Sequence, residues 1–319
     1  MRRLLLCLAL ALAVAAAPAA ANPLLIVGNK GEDSISFVDL VTGRELARRE
    51  TGPNPHEIAL SPDGKRIAVV AYGGGSIDIF DVARRERVRT FELAPDGRPH
   101  GILWLPDGRI LATTEGARTL SIVSPDLERV SAIPLGQDGG HMVAVLPNFG
   151  RAFVANIGSG TVSVIDLARA RKLRDVPVGS RPEGIAVTPD GRQLWVSEVG
   201  GDAVHVFDAA TLRPMAKLAT GKQPIRVIIS PDGRTAVTSN HGDGTLSLFD
   251  TRTLRPQRTI RVNGQAEFGQ VTILFGPGGQ RLYVAETGID RVAEVDMASG
   301  TVLGRLPAGK NGDGLAIVP

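Results

Sequence analysis

The chain has 319 residues, of which 43% are hydrophobic and only 4% aromatic, so its core must consist mainly of Val, Ile, Leu and Ala. The formal net charge is +3, and two of these charges are Arg2 and Arg3 at the N-terminus. The rest of the chain is close to neutral, which argues against nucleic-acid binding. The one cysteine, Cys7, lies near the N-terminus, so disulfides, thiolate metal sites and covalently attached c-type haem are excluded from the remainder.

Residues 1–21 have the pattern of a secretory signal sequence. A basic start is followed by an apolar stretch, Leu4 to Ala17, and by the small residues Ala19 to Ala21. Pro18 interrupts the apolar stretch, which is also too short for a typical membrane span. We therefore expect cleavage near Ala21 and a periplasmic or secreted mature chain, residues 22–319, with no membrane span and a monomeric state.

Short apolar runs alternate with tight turns throughout the mature chain. Six turn prolines follow one another at intervals of 41 to 46 residues: Pro62, Pro106, Pro147, Pro189, Pro231 and Pro277. The turns read SPDG, LPDG, LPNFG, TPDG, SPDG and GPGG, a composition typical of type I turns. A period near 42 residues with several short β segments per unit predicts an all-β protein, a β-propeller of four-stranded antiparallel blades.

The two ends of the chain predict seven blades. Residues 24–39 (LLIVGNKGEDSISFVD) match the second and third strands of a unit, without an inner strand before them. Residues 313–319 (DGLAIVP) match an inner strand and end 42 residues after Pro277. We therefore expect the C-terminal strand to pair with the N-terminal blade and to close a single domain, residues 22–319. Such closure removes the exposed sheet edges that favour aggregation.

The third strand of most units ends in an aspartate, and we interpret these residues as caps of the following turn: Asp39, Asp81, Asp166, Asp208, Asp250 and Asp296. Segments such as VANIGSGTVSVIDLARARKL, residues 154–173, resemble the YVTN-type β-propeller repeat of exported prokaryotic proteins. The resemblance covers essentially the whole mature chain. It implies the propeller fold but no particular function, since proteins of this class include surface-layer proteins, lactonase-like propellers and d1-type haem domains.

The repeat also predicts which residues surround one mouth of the central channel. The loop that enters each inner strand and the loop between the second and third strands lie on the same face of a propeller. Six positions before each turn proline stand His56, His100, His141, Glu183, Ile225, Val271 and Asp313, and the next position adds Glu57 and Arg226. The second strands end in Asn29, Ala71, Glu115, Asn156, Glu198, Asn240 and Glu286.

From these positions we predict a polar ligand-binding mouth that contains His56, Glu57, His100, Glu115, His141, Asn156, Glu183, Glu198, Arg226, Asn240, His241 and Glu286. Three of the five histidines, His56, His100 and His141, share one position in successive blades. Because imidazole is the commonest metal ligand, these three are candidates for holding a divalent transition metal or haem. The alternative is that they hydrogen-bond to loop carbonyls and are purely structural. His205, in a third strand, has no expected function.

The predicted mouth is compatible with three alternative functions. The first is an exported binding protein for a small ligand, a cofactor or a periplasmic protein partner. The second is a metal-dependent or acid–base hydrolase, which the likeness to propeller lactonases implies. The third is a haem- or copper-handling protein of a periplasmic redox system. The sequence leaves open which of these applies and whether the protein is an enzyme.

Overall fold

Seven four-stranded antiparallel sheets form a closed ring in the computed structural model, which describes residues 22–94 and 96–319. Each inner strand contacts the inner strands of the two neighbouring sheets, so the seven strands surround a central channel. The predicted seven-bladed propeller is therefore confirmed. The predicted signal sequence, residues 1–21, lies outside the described residues.

The strands fall into four concentric sets, numbered here in chain order. The inner strands are β4 (Pro55–Leu60), β8 (Pro99–Trp104), β12 (Gly140–Val145), β16 (Pro182–Val187), β20 (Pro224–Ile229), β24 (Gln270–Phe275) and β28 (Gly312–Val318). The second strands are β1 (Leu24–Asn29), β5 (Arg66–Ala71), β9 (Ile110–Thr114), β13 (Arg151–Asn156), β17 (Gln193–Glu198), β21 (Thr235–Asn240) and β25 (Arg281–Glu286).

The third strands are β2 (Ser34–Asp39), β6 (Ser76–Asp81), β10 (Thr119–Val123), β14 (Thr161–Asp166), β18 (Ala203–Asp208), β22 (Thr245–Asp250) and β26 (Arg291–Asp296). The outer strands are β3 (Glu45–Glu50), β7 (Glu86–Glu92), β11 (Val130–Pro134), β15 (Arg171–Pro177), β19 (Pro214–Ala219), β23 (Arg255–Arg261) and β27 (Val302–Pro307). Short 3-10 helices occupy Val199–Gly201, Ala266–Phe268, Pro277–Gly279 and Thr287–Ile289.

The N-terminal blade, blade 1, is completed by the C-terminal strand. Its strands lie in the order β28, β1, β2, β3, and the register places Leu24 opposite Val318 and Leu25 opposite Ile317. Blades 2 to 7 are each continuous in sequence, from β4–β7 through β24–β27. The closing strand that the sequence predicted is thus present, and it joins the two ends of the chain in one sheet.

The apolar core lies between the blades. Among the described residues there are seven buried apolar clusters, one at each interface between neighbouring blades. One of them joins blades 1 and 2 through Ile26, Phe37, Ile67 and Phe80, all of which are fully buried. Second strands are buried on both faces, which explains continuous apolar runs such as RIAVVA in β5. Outer strands are mostly exposed, as in ELARRE of β3.

The turns and caps that the repeat predicted are formed. In the first Pro-Asp-Gly turn, the Gly64 N–H donates to the Ser61 carbonyl at 2.9 Å, which closes a β-turn. The aspartates at the ends of third strands accept backbone N–H groups two or three residues further on, at 2.7 to 2.9 Å: Asp39, Asp81, Asp166, Asp208, Asp250 and Asp296. Their predicted role as turn caps is confirmed.

The two ends of the channel differ in polarity. At the end of the Pro-Asp-Gly turns, a cavity of about 500 Å³ is lined mainly by apolar residues that include Ile58, Leu103, Trp104, Phe275 and Ile317. The opposite end, where the inner strands begin, carries the polar residues described below. Within the described ranges, no helix has the length and apolar character needed to cross a membrane.

Candidate functional site

Each inner strand begins with an irregularity that brings its second and third residues to the channel mouth. In β4 the pairing with β5 shifts between Pro55 and Ile58, and the six other inner strands shift at the same place. Such a bulge re-aims side chains that a regular strand would place on alternate faces. Glycine at the third position, as in Gly184, allows the next blade to approach closely, because a Cβ there would lie 2.6 Å from the Val227 nitrogen.

Three histidines from successive blades meet at this mouth. The ring centroids of His56 and His100 are 4.9 Å apart, and those of His100 and His141 are 3.6 Å apart with the rings stacked at 29°. Tyr72 completes the group, with its ring 4.7 Å from that of His56. The equivalent sequence positions of the histidines therefore become a contiguous imidazole wall along blades 2 to 4.

Ion pairs and hydrogen bonds link this wall to the far side of the channel. The Tyr72 hydroxyl donates to Glu115 at 2.9 Å, and the other oxygen of Glu115 lies 2.5 Å from His141 Nδ1. His141 Nε2 lies 3.5 Å from Glu183 Oε1, which also accepts from Arg226 at 2.9 Å.

Arg226 then crosses the channel to blade 2, where its second terminal nitrogen donates to Glu57 at 2.6 Å. Arg226 and Glu57 are 169 residues apart in sequence, and both are buried. We call this connected series the polar chain: Tyr72, Glu115, His141, Glu183, Arg226 and Glu57. It passes through blades 2 to 6 and returns to blade 2.

The pKa of His141 is shifted upwards, whereas the pKa values of His100 and His56 are shifted downwards. Burial alone would lower the pKa of His141, but its hydrogen bonds to Glu115 and Glu183 raise that pKa to about 9. Burial lowers the pKa of His100 well below its usual value, and the positive charge on His141 adds to the effect. Burial also lowers the pKa of His56. At neutral pH, His141 is therefore an imidazolium beside two neutral imidazoles.

Several buried polar atoms at this mouth lack a hydrogen-bond partner among the described residues. They include Nδ1 of His100, Nε of Arg226 and Nδ1 of His241. A buried donor or acceptor without a partner typically costs about 1–3 kcal/mol. The described residues therefore leave part of the hydrogen-bonding capacity around this mouth unsatisfied.

A second ion pair closes the mouth on the side of blade 1. Lys30 Nζ lies 2.9 Å from Asp313, and the other oxygen of Asp313 accepts from the Thr272 hydroxyl at 3.1 Å. Burial, the largest effect, would raise the pKa of Asp313, but the charges of Lys30 and Arg226 lower it. The charges of Asp313 and Glu183 also act on His241, which places that histidine close to the same mouth.

Four residues predicted for the mouth are instead directed into their own blades. Asn156 donates to Thr161 and Ser163 at 3.0 and 2.9 Å, and the Asn240 amide lies equally close to Thr245 and Ser247. These amides connect the second strand to the third.

Glu198 and Glu286, the other two, are bound to cations of the outer strands. Glu198 lies 2.7 Å from Lys217 and 2.8 Å from His205, and Glu286 lies 2.6 Å from Arg305. Burial would raise the pKa of Glu198, but its hydrogen bonds from Lys217 and His205 lower it to about 2. Of the three strand-end glutamates, only Glu115 contacts the imidazole wall. His205 binds Glu198, a structural partner that the sequence did not indicate.

A family model described as "Lactonase, 7-bladed beta-propeller" matches residues 28–253, more than two thirds of the chain. The chain belongs to this family. The narrower likeness to the YVTN-type repeat stays a prediction. No curated protein matches the chain significantly.

Solved structures with the same architecture share little sequence with this family member. Hydrazine synthase of Kuenenia stuttgartiensis has a TM-score of 0.75 and 18% identity over 86% of this chain and 92% of its own. A protein of unknown function from Desulfotomaculum acetoxidans has a TM-score of 0.79 and 17% identity over 93% of this chain and 99% of its own. The dihydro-heme d1 dehydrogenase NirN, solved in complex with DHE, has a TM-score of 0.69 and 15% identity over 92% of this chain and 74% of its own. At these identities the likeness shows the fold alone.

The geometry of the imidazole wall does not resemble a metal site. Among the residues that the structure describes, no group of three or more His, Cys, Asp or Glu side chains is arranged to hold a metal ion. His100 and His141 stack face to face, whereas ligands of one ion direct their nitrogens at a common point. This geometry gives no support to the transition-metal and copper hypotheses. The haem hypothesis stays a prediction.

Two mouth residues were not singled out from the sequence, Tyr72 and Lys30. Both immediately follow the last residue of a second strand, which is also the position of His241. Aligning this position across the blades would have found them. Asp313, Ile225 and Val271 were aligned with the histidines but were not assigned to the binding site.

Proposed function

We propose that the chain hydrolyses a small lactone at the channel mouth by acid–base chemistry. The observation that carries the proposal is the contact between neutral and protonated imidazoles within one partly exposed site. Neighbouring titratable groups whose pKa values are shifted in opposite directions are typical of paired acids and bases. Membership of the lactonase propeller family supports the same class of reaction.

His56 is the general base in this proposal. Its Nδ1 lies 3.0 Å from the Asn54 carbonyl, which can only accept, so Nδ1 carries the proton and Nε2 is left with a free electron pair. Its lowered pKa keeps the ring neutral at pH 7. Nε2 removes a proton from a water molecule as that water attacks the lactone carbonyl.

The remaining groups stabilise the oxyanion that this attack creates. The imidazolium of His141, stacked on His100, and the guanidinium of Arg226 add positive charge near the developing oxyanion. The ring C–O bond then breaks, the leaving oxygen takes the proton from His56, and the hydroxy acid releases its own proton to water.

Removing the base while keeping its loop contact tests the proposal. In His56→Asn, the amide still donates to the Asn54 carbonyl but no group replaces Nε2. Hydrolysis of unsubstituted and alkyl γ- and δ-lactones is followed by pH-stat titration. General-base catalysis contributes about 10²- to 10⁴-fold, so we expect kcat/KM to fall at least a hundredfold. His205→Asn, which removes a histidine outside the mouth, should hydrolyse at the wild-type rate. Equal rates for wild type and His56→Asn would overturn the assignment.

The pH dependence of kcat/KM gives a second test. The base works only when His56 is neutral, so activity should rise with a midpoint below pH 6.5, since the pKa of His56 is lowered. Activity should fall again near pH 9, where His141 loses its proton. A rate that kept rising through pH 10 would contradict the role of the imidazolium.

We also propose that the protein is exported. The basic, apolar and small-residue pattern of residues 1–21 supports this. N-terminal sequencing of the protein from fractionated cells should give a chain that starts at Asn22. A cytoplasmic protein that retains Met1 would refute export.

A further inference from the structure

The arc of the mouth opposite the imidazole wall is apolar. At the second position of the inner strand, five blades carry His, Glu or Asp, but blades 6 and 7 carry Ile225 and Val271. Both side chains are only partly buried, although they stand in the ring that surrounds the channel. One wall of the site is therefore made of imidazoles and the other of aliphatic side chains.

A longer loop adds to the apolar arc. Eight residues, 262–269, connect β23 to β24, whereas four connect β19 to β20. This loop brings the partly buried Phe268 to the mouth end of the channel. The loop also approaches the site at Gly269, where an added Cβ would lie 3.6 Å from His241 Nε2.

Three cations of the mouth are already paired with carboxylates. The described groups that pair with one another here are three cations and four carboxylates: Lys30, His141, Arg226, Glu57, Glu115, Glu183 and Asp313. Arg98, an exposed residue whose charge acts on Tyr72 and Glu115, is a fourth cation at the edge of the mouth. Lys30, His141 and Arg226 each lie within 2.9 Å of a carboxylate. An added phosphate or carboxylate would therefore compete with a carboxylate of the protein for each of these three cations, in a partly buried site where repulsion between carboxylates is poorly screened.

We infer that the mouth selects lactones with an uncharged aliphatic substituent, which packs on Ile225 and Val271, and rejects lactones with an anionic substituent. This inference rests on the proposed lactone hydrolysis. The ring carbonyl faces the imidazole wall and the alkyl group faces the apolar arc. Ile225 and Val271 are thus specificity-determining residues.

The test compares γ-butyrolactone with its γ-ethyl, γ-butyl and γ-hexyl derivatives and with the same ring bearing a γ-carboxylate. We expect kcat/KM to rise about fourfold for each methylene group that is buried. The carboxylate derivative should react more slowly than the unsubstituted ring. Val271→Thr keeps the shape of the side chain but replaces a methyl group by a hydroxyl, and it should flatten the dependence on chain length, as should Ile225→Ala. Val88→Thr, on an exposed outer strand, is the matched control and should keep the full dependence.

The outcomes separate this inference from the proposed function. If wild type hydrolyses all the lactones equally well, or if Val271→Thr behaves like wild type, the inference is overturned while lactone hydrolysis stands. If no lactone is hydrolysed, the proposed function fails, and calorimetric titration with the same lactones tests selectivity alone. Affinity that increases with alkyl length in wild type and not in Val271→Thr supports the apolar arc. Affinity independent of alkyl length, or tightest for the carboxylate, overturns it.

Discussion

The raised pKa of His141 makes a prediction about stability that does not depend on any ligand. Its imidazolium is held between Glu115 and Glu183, and its side chain is only 13% exposed. The folded-state pKa of about 9 lies above the usual value of 6.5. The resulting stabilisation is fully present below pH 6.5 and is lost as the pH rises through 9.

The magnitude follows from the size of the shift. Each pKa unit corresponds to about 1.4 kcal/mol, so the full stabilisation from this group is about 3 kcal/mol. Between pH 7 and pH 9, the linkage relation gives a loss of about 2 kcal/mol in the free energy of unfolding. With a urea m-value of about 3 kcal/mol per molar, the unfolding midpoint should decrease by about 0.7 M.

Urea unfolding at pH 7, 8 and 9, followed by circular dichroism, measures this loss for wild type and for His141→Gln. The variant should be less stable at pH 7, because Glu115 loses its imidazolium partner and Glu183 keeps only Arg226, and its deficit should shrink by about 2 kcal/mol by pH 9. His241→Gln is the control, because burial lowers the pKa of His241 and keeps its titration out of this range. If His141→Gln retained the wild-type slope between pH 7 and pH 9, the assignment of the imidazolium would be wrong.

Three further predictions concern the ring and its buried charges. Arg226→Met should lower the free energy of unfolding by about 3–5 kcal/mol, because the buried Glu57 loses its cation and Glu183 keeps only His141. A smaller loss in denaturant titration would show that these ion pairs are solvated. Gly184→Ala should lower the melting temperature by several degrees, since the new Cβ would lie 2.6 Å from the Val227 backbone; an unchanged melting temperature would show that the blades can move apart. Deleting residues 312–319 removes the strand that closes blade 1, so the truncated chain should aggregate or remain unfolded in gel filtration, and a folded monomer would contradict the closure.

Local and periodic features of the chain could be read from the sequence. The Pro-Asp-Gly turns, the aspartate caps and the alternating apolar runs depend on neighbouring residues. Because these patterns recur with a fixed period, each repeat could be assigned to one blade. The same period showed that the C-terminal strand belongs to the N-terminal blade. It also aligned His56, His100 and His141, because equivalent positions in a closed ring are equivalent in space.

The partners of the three strand-end glutamates depend on the residue that each outer strand places opposite the third strand. Glu115, Glu198 and Glu286 are equivalent in sequence, yet Glu115 joins the histidines while the other two pair with Lys217 and Arg305 on outer strands. Lys217 and Arg305 occupy the same position of their outer strands, whereas blade 3 carries Ala132 there. Glu115 therefore has no outer-strand cation at that position and binds His141 and Tyr72 instead.

The sequence by itself therefore determined the seven blades, the closing strand and the ring of positions around the mouth. Only the tertiary structure brought Arg226 across the channel to Glu57 and stacked His100 on His141. It thereby decided which imidazoles are neutral and which is charged. The physical reason is that a fold built from repeats is specified by local patterns, whereas protonation depends on burial and on charges from distant parts of the chain.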